Sequence, residues 1–422
     1  MTDTANATDP SSTAPLESVR RPIVVMKFGG TSVAGKEGRA ALARRVRASL
    51  EAGRAPVLVV SAMGRAGAPY ATDTLLGLVD DEPGDEREHD LLSSVGELVS
   101  AVVVAHELRA EGIDASAFSG LEAGIFTDGV AGGAAITEIL PARLLQSVDT
   151  GVVPVVAGFQ GMAEDGRVTT LGRGGSDTTA CALGVALSAE EVQIYTDVDG
   201  VMTADPKMCE QSEVLEVIGA DELFQMARAG SRVVHTPAAE LALASGIAVR
   251  VKNTFSDHDG TLVADIGAYR PERVATAVTS SHDVVRMCVR LGAPEGSREH
   301  MASQTRVYRA MADAGVSLDM FTPAGDSLYF TVGAASLHAA CEVLDRLCLA
   351  HDARTGLAKV TLVGAGMHGV PGVMARLAEH LWAAGVDIYQ AADSHTTISV
   401  LVASADANTA VRALHDGFGL AT

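Results

Sequence analysis

The sequence predicts an α/β protein: a parallel-sheet domain over residues 22–270, followed by two copies of a small βαββα unit. Three observations carry this. Short apolar runs alternate with helix-length segments through the first 270 residues, which is the rhythm of βα units. From residue 283 the order changes to strand, helix, strand, strand, helix, and it repeats from 358. The chain has 422 residues with 47% hydrophobic and 20% charged, enough for two or three domains with real cores.

Residues 1–21 are rich in Thr, Ser, Ala, Asp and Pro, lack the apolar core of a signal peptide, and read as a disordered tail. A buried strand, Ile23 to Met26, runs into Lys27-Phe28-Gly29-Gly30. A basic helix (36–52) and a second strand (57–60) follow. The charged stretch 80–90 contains a Pro-Gly pair and reads as a loop, leading to a helix over 91–110. The apolar run 152–157 is an inner strand, 172–176 a glycine turn, 177–187 a helix and 192–196 another strand. In the C-terminal region the first unit has strands at 284–291, 316–321 and 328–332, with helices at 298–314 and 337–349. The second has strands at 359–363, 386–390 and 397–402, with helices at 370–384 and 407–415. It lacks a last strand, and the spare run 274–279 is placed to complete it.

The charge balance narrows the partners. With 32 Lys+Arg against 53 Asp+Glu, the net charge of −21 disfavours nucleic acid as a partner, while a local cationic pocket remains open. Five scattered Cys residues form no metal-ligand spacing and no disulfide framework, so they read as small hydrophobes in a reducing compartment, the cytoplasm. No apolar run reaches the ~20 residues of a membrane span.

Two motifs are weighed and set aside. Gly30 to Lys36 matches the start of a P-loop, but Glu37 stands where Ser or Thr must hold magnesium. Gly364-Ala-Gly366-Met-His-Gly369 has dinucleotide spacing, yet too little chain follows it for the further βα units that fold requires.

Other segments bring phosphate- and carboxylate-binding groups together. Lys27 ends a strand, and Gly29 and Gly30 let backbone N–H groups approach a phosphate with no Cβ in the way; Thr31 and Ser32 add hydroxyls. An ordinary strand-to-helix turn with an exposed Lys is the equal alternative. Gly172 to Asp177 surrounds Arg173 with glycines before a helix for which Ser176 makes a suitable N-cap, an arrangement for a carboxylate or phosphate. The acids of Thr196-Asp197-Val198-Asp199-Gly200 and of Thr203 to Lys207 lie at a strand end, where α/β ligands bind, although Asp-Gly and Asp-Pro are also turn chemistry. Glu97 alone reads as a solvated acid.

Together these segments resemble the aspartokinase family. The resemblance rests on KFGGTSV (27–33), VVSAMG (59–64), GE (96–97), VAGFQG (156–161), TTLGRGGSDTTA (169–180), YTDVDGVMTADPK (195–207) and GSRVVHTPAAE (230–240), and it extends through both C-terminal repeats, which look like paired ACT domains. It implies an amino-acid-kinase-like sandwich domain over 22–270 and two βαββαβ ACT repeats at 271–356 and 357–422. It implies transfer of the γ-phosphoryl of magnesium-ATP to the side-chain carboxylate of L-aspartate. By resemblance, Lys27 lies against the transferring phosphoryl with Phe28, Gly29, Gly30 and Ser32 nearby, and Asp177 orients Lys27 or the metal. Thr196, Asp197, Met202, Thr203, Ala204, Asp205, Pro206, Lys207 and Arg232 line the nucleotide side. Arg173 with Gly174, Gly175 and Ser176 clamps an aspartate carboxylate, Glu97 faces its ammonium, and Thr72 touches it. No side chain is assigned as a dedicated metal ligand.

Two further implications concern regulation. QAADSHTTI (390–398) resembles the corresponding stretch of diaminopimelate-inhibited aspartokinases, so Met367, Gly369, Val370, Gln390, Asp393, Ser394 and His395 are candidate contacts for diaminopimelate first and lysine second; a plain polar turn at Asp393-Ser394-His395 between strands 386–390 and 397–402 is the alternative. The ACT repeats imply a homo-oligomer. One departure stands out: Arg232 occupies the place of the family's usual Lys. Two other classes are weighed against this reading. A catalytically silent amino-acid sensor would be free to lose Lys27, Glu97, Arg173 and Asp177. A relative acting on glutamate, carbamate or a nucleotide monophosphate would lack the ACT repeats.

Overall fold

A computed structural model describes residues 21–79, 84–230, 244, 246–264, 274–367 and 369–421. The predicted tail lies outside the described residues apart from Arg21, as do Arg232 and part of the 80–90 loop.

The first part is built on an eight-stranded sheet in the order β10-β12-β11-β9-β1-β2-β6-β3. Its strands are β1 (Ile23–Phe28), β2 (Ala55–Val60), β3 (Ala115–Phe118), β6 (Val153–Ala157), β9 (Glu191–Thr196), β10 (Val217–Gly219), β11 (Val249–Asn253) and β12 (Thr261–Ala264). All pairings are parallel except β11 with β12. The central strands are apolar on both faces because both are covered, as parallel sheets require. One face packs α2 (Lys36–Glu51) and α4 (Glu86–Ala110) through Leu42, Val46, Val104 and Leu108; the other packs α5 (Ala142–Asp149) and α6 (Gly175–Ala186) through Leu144, Cys181 and Leu183. A separate sheet, β5-β4-β7-β8, uses β4 (Ile125–Thr127), β5 (Ile136–Ile139), β7 (Gln160–Ala163) and β8 (Val168–Thr170). None of its strands exceeds four residues, so no sequence periodicity could announce them.

Helix α4 starts at Glu86, inside the predicted loop, because acidic residues favour a first helical turn. It is long and apolar enough to pass as a membrane span, but half of that stretch is buried in the protein. Its buried face carries Asp90, Ser93, Ser94, Glu97 and Ser100, which marks a core helix.

The C-terminal region forms one six-stranded antiparallel sheet, β14-β15-β13-β16-β18-β17, the single block expected if the spare run completes the second repeat. The spare run and the first strand of the first repeat are a single strand, β13 (Ala277–Arg290). Its first half pairs with Lys359–Val363 of β16 (His351–Val363), and its second half with β15 (Ser327–Gly333) and the start of β16. The polar Ser280-Ser281-His282-Asp283 looks like a break; it is a bulge between Ser281 and Val284, with Asp283 at φ 59°.

The strands after the helices begin later than predicted: β14 at Asp319–Ala324 and β17 at Gln390–Asp393, with β18 at Thr397–Ala403. Val316 and Val386 belong to helix endings. Their N–H groups close back on the carbonyls of Met311 and Leu381, behind Gly315 and Gly385 at positive φ. That is the Schellman closure, and it uses the apolar residue as a plug rather than as a strand.

Candidate active site

Lys27 and Asp177 meet where β1 ends and α6 begins, with Lys27 Nζ 2.6 Å from Asp177 Oδ1 and both side chains nearly buried. Two glycines shape this approach. The helix starts with Gly174 at φ 77° as its N-cap, two residues before Ser176, so Ser176 lies buried in the first turn and does not cap it. Asp177 then sits in that first turn, where the helix dipole favours an acid. Across from it, the chain after β1 turns straight into a short helix (α1, Gly30–Ala34), so the P-loop match is helical rather than a phosphate loop. A Cβ on Gly30 would lie 2.6 Å from the Gly64 carbonyl oxygen and 2.7 Å from that of Ala62. Only glycine allows the 61–64 loop to close against this turn, where Gly64 N–H donates to the Gly30 carbonyl at 3.0 Å.

The acceptor side is built on α4. Glu97 is almost fully buried; Ala62 N–H donates to its Oε1 at 3.1 Å, while Oε2 has no protein partner. Burial pushes its pKa up to about 7, against the lowering pull of the Ala62 hydrogen bond. Gly96 makes this placement possible, because a Cβ there would meet the Tyr70 carbonyl oxygen at 2.7 Å. Thr72 opens the short helix α3 (Thr72–Leu76) and is half-buried. Arg173 is exposed on a turn whose flanking Gly172 and Gly174 both have positive φ. Gly175 packs against Phe159 and Leu171 with no room for a side chain.

The segment after β9 forms one wall of a cavity of about 550 Å³, lined by Thr196, Asp197, Met202, Ala204, Asp205, Pro206 and Lys207 among others. That volume suits a small-molecule site. Lys27, Phe28, Gly29, Gly30, Ser32 and Thr203 are not among its lining residues, and three of them are closed off by burial. Phe28 is fully buried and stacked on Tyr195, with ring centroids 4.6 Å apart. Ser32 is also fully buried, its hydroxyl 2.7 Å from that of Thr254. The Thr203 hydroxyl accepts from Glu213 N–H at 2.9 Å and lies 2.9 Å from His415 Nε2, while Val278 N–H donates to its carbonyl at 2.7 Å. These three therefore support the site from within the fold.

Sequence reasoning missed Arg65, which lines the cavity and meets Asp197 at 3.1 Å. Its position directly after the close-packed Gly64 was the available signal. It also missed the cavity wall from Val278 to Asp283, for which no signal exists in the sequence.

The two candidate effector stretches are brought together, since Gly364 N–H donates to the Thr396 carbonyl at 2.9 Å. Asp393 at the end of β17, and Ser394 and His395 on the turn before β18, are exposed, and the Ser394 and Thr397 hydroxyls clamp that turn at 2.7 Å. Gly369 has φ 74° and Val370 is exposed before the helix Val373–Ala383. Met367, however, is packed in the apolar core with Val373 and Ile398. Gln390 donates to the Met320 carbonyl, tying β17 to β14.

The profile of the amino acid kinase family matches residues 22–253, and that of the ACT domain matches 352–416. Aspartokinase 1 of Bacillus subtilis (strain 168) is 41% identical over 405 residues, covering 94% of this chain and 99% of that protein. An aspartokinase of Thermus thermophilus is 37% identical over 412 residues, covering 94% and 99%. Among solved structures, E. coli aspartokinase III in complex with aspartate and ADP matches with a TM-score of 0.77 and 25% identity, covering 94% of this chain and 100% of that one. The same enzyme with lysine and aspartate matches with a TM-score of 0.77 and 26% identity, covering 94% and 99%.

Proposed function

The chain belongs to the aspartokinase family, and from that premise we propose how its residues divide the transfer of the ATP γ-phosphoryl to aspartate. The product is 4-phospho-L-aspartate, from which lysine, threonine and methionine synthesis proceed, and the ACT region makes the enzyme a regulated one. A side-chain carboxylate with pKa ≈ 3.9 is already ionised at neutral pH, so the nucleophile needs no base. The difficulty is bringing two anions together, and fixed positive charge is the remedy.

Lys27 carries that charge. The single observation that supports this role is its 2.6 Å contact with Asp177, which fixes the ammonium at the strand end beside the glycine turn. Glu97 receives the substrate ammonium on its unpartnered Oε2, and Arg173 clamps a carboxylate of aspartate through two parallel N–H groups. Thr72 and the 174–176 backbone complete that subsite. Thr196, Asp197, Met202 and Ala204 to Lys207 hold the nucleotide in the cavity. Asp177 suits one ligand position of magnesium carried on the triphosphate, an ion that takes one or two carboxylates and leaves the rest to phosphate and water. Bound there, the ion would screen charge that builds between the phosphoryl groups.

The effector is proposed to be a diamino acid, diaminopimelate or lysine, at the adjoining 364–372 and 390–398 stretches, and the ACT region is proposed to pair two chains. The likeness to an enzyme described with lysine supports the effector class. Five free thiols fit a reducing cytoplasm.

Coupled ATP consumption with aspartate, with glutamate and without acceptor tests the reading. Aspartate-dependent turnover is expected, reduced by ~10²–10³ in Lys27→Ala and in Asp177→Ala. Near-normal turnover of either variant at saturating aspartate would remove its assigned role. For Arg173→Lys the aspartate KM rises while the ATP KM stays, because a point charge replaces a bidentate fork.

A further inference from the structure

The cavity described above is not made by the kinase domain alone. One side is the loop after β9; the other is the regulatory strand β13 from Val278 to Asp283. The contact between the two walls is built rather than incidental. Val278 N–H donates to the Thr203 carbonyl at 2.7 Å, and the Ser280 hydroxyl lies 3.1 Å from Met208 Sδ. At the end of α7 (Ala220–Arg228), Gly230 sits so close to the strand that a Cβ would lie 2.3 Å from the Ser280 carbonyl oxygen.

Both walls of the cavity carry charge: Arg65, Lys207, Asp197 and Asp205 on the kinase side, His282 and Asp283 on β13. Arg65, next to the glycine turn that follows Lys27 and paired with Asp197 at 3.1 Å, and Lys207 are the kinase-side cations suited to phosphate. The β13 wall offers the polar groups of Ser281 and Asp283, and the nearly buried Met226, Val278 and Val411 complete the lining. A carboxylate there would repel a triphosphate but accepts hydrogen bonds from hydroxyl or amino groups. Asp283 is held at the bulge with φ 59°, and both it and Ser281 have solvent-accessible surface.

We propose that the regulatory sheet completes the nucleotide site: Ser281 and Asp283 bind the ribose-and-base end of ATP, while its phosphates stay with Lys27 and Arg65. This rests on the nucleotide reading of the cavity given above. It makes one strand both a wall of the substrate site and the shared strand of both ACT repeats.

The test uses the full-length chain with Ser281→Ala, Asp283→Gly and the double variant, beside Lys207→Ala on the kinase wall. Glycine accepts the positive φ of position 283, so that change removes the carboxylate without backbone strain. In the double variant the ATP KM is expected to rise about three- to tenfold, the size of one or two lost hydrogen bonds, with the aspartate KM within about twofold. ADP titrated alone by calorimetry should weaken by the same factor. Ser281→Ala alone should show the smaller end of that range and serves if Asp283→Gly does not fold. Unchanged ATP and ADP affinity in the β13 variants, with Lys207→Ala still raising the ATP KM, overturns the regulatory contribution and leaves the nucleotide site standing. Unchanged affinity in all of them overturns both. An equal rise in the aspartate and ATP KM values also overturns it, since that marks a general loosening.

Discussion

The role proposed for Glu97 sets substrate binding against stability. Its pKa rises from 4.5 to about 7 on folding, through burial. Because the folded-state value lies above the unfolded one, its stabilising contribution is fully present below pH 4.5 and is lost as pH rises through about 7. Above that, a buried charge without a partner on Oε2 is held at a cost of up to about 3 kcal/mol. Glu97→Gln should therefore be more stable than the parent at pH 8 and gain little at pH 5, as read by denaturant unfolding at both values. The same variant should need far more aspartate, since the substrate ammonium loses its counter-charge. In the parent, the aspartate KM should climb as pH falls below about 7, because protonated Glu97 no longer attracts that ammonium. A KM flat from pH 8 to 6 would show that Glu97 does not face the substrate. None of this is legible at position 97 itself, where an acid on a helix reads as solvated. The burial is set by Gly96 and by the Tyr70 carbonyl packed over it, a contact far apart in sequence.

At the scale of elements, the long apolar strands and the glycine motifs declare themselves, and the places where prediction and structure part have local causes. Lys27, Gly30 and Asp177 are readable as a group only through the family motifs; nothing in spacing alone brings β1 to α6. Val316 and Val386 look like strand starts because apolar β-branched residues usually are, yet each finishes a helix through its backbone N–H. Strand β13 looks like two strands because a polar bulge interrupts its pattern. Phe28, Ser32 and Thr203 belong to the motifs, but burial turns them into supports. The turn after β1 offers a direct test of such support. Gly30→Ala would drive a methyl into two backbone carbonyls, which no rotamer change can relieve. The 61–64 loop must then move and take Ala62 N–H away from Glu97. A stability loss of about 1–3 kcal/mol is expected, together with a raised aspartate KM, although position 30 is assigned to the phosphoryl side. Thermal unfolding and steady-state kinetics on the same sample check both; a stability loss with unchanged aspartate KM would disconnect the loop from the acceptor site.

For the molecule as a whole, the question is how the diamino acid proposed as effector could reach the reaction from the ACT region. The kinase and regulatory cores are continuous: Ala277 and Val363 pack in the same cluster as the kinase sheet, and Ala204 and Cys209 pack with the second repeat. Polar contacts cross the same boundary. Glu222 of α7 is buried, accepts from Ala365 N–H at 2.8 Å and from the Thr276 hydroxyl at 2.6 Å, and so ties the kinase to the glycine turn of the candidate effector site. From α7 the chain reaches Gly230, pressed against β13 at the cavity wall. A ligand that inhibits must bind one arrangement of this junction better than another, and such coupling is typically ~1–3 kcal/mol and reciprocal. Diaminopimelate is therefore expected to inhibit aspartate turnover, with lysine second, and to raise the ATP KM; ATP in turn should weaken the effector. Changing Asp393 or His395 should shift the inhibitor concentration upward by acting on the effector itself. Glu222→Gln should also reduce inhibition several-fold, but by replacing an acceptor with a donor opposite an N–H, with uninhibited turnover preserved. Titrating diaminopimelate, lysine and threonine against parent and variants decides it. Flat curves for both diamino acids with strong inhibition by threonine would assign a different effector class, and full inhibition of Glu222→Gln would place the coupling outside this junction.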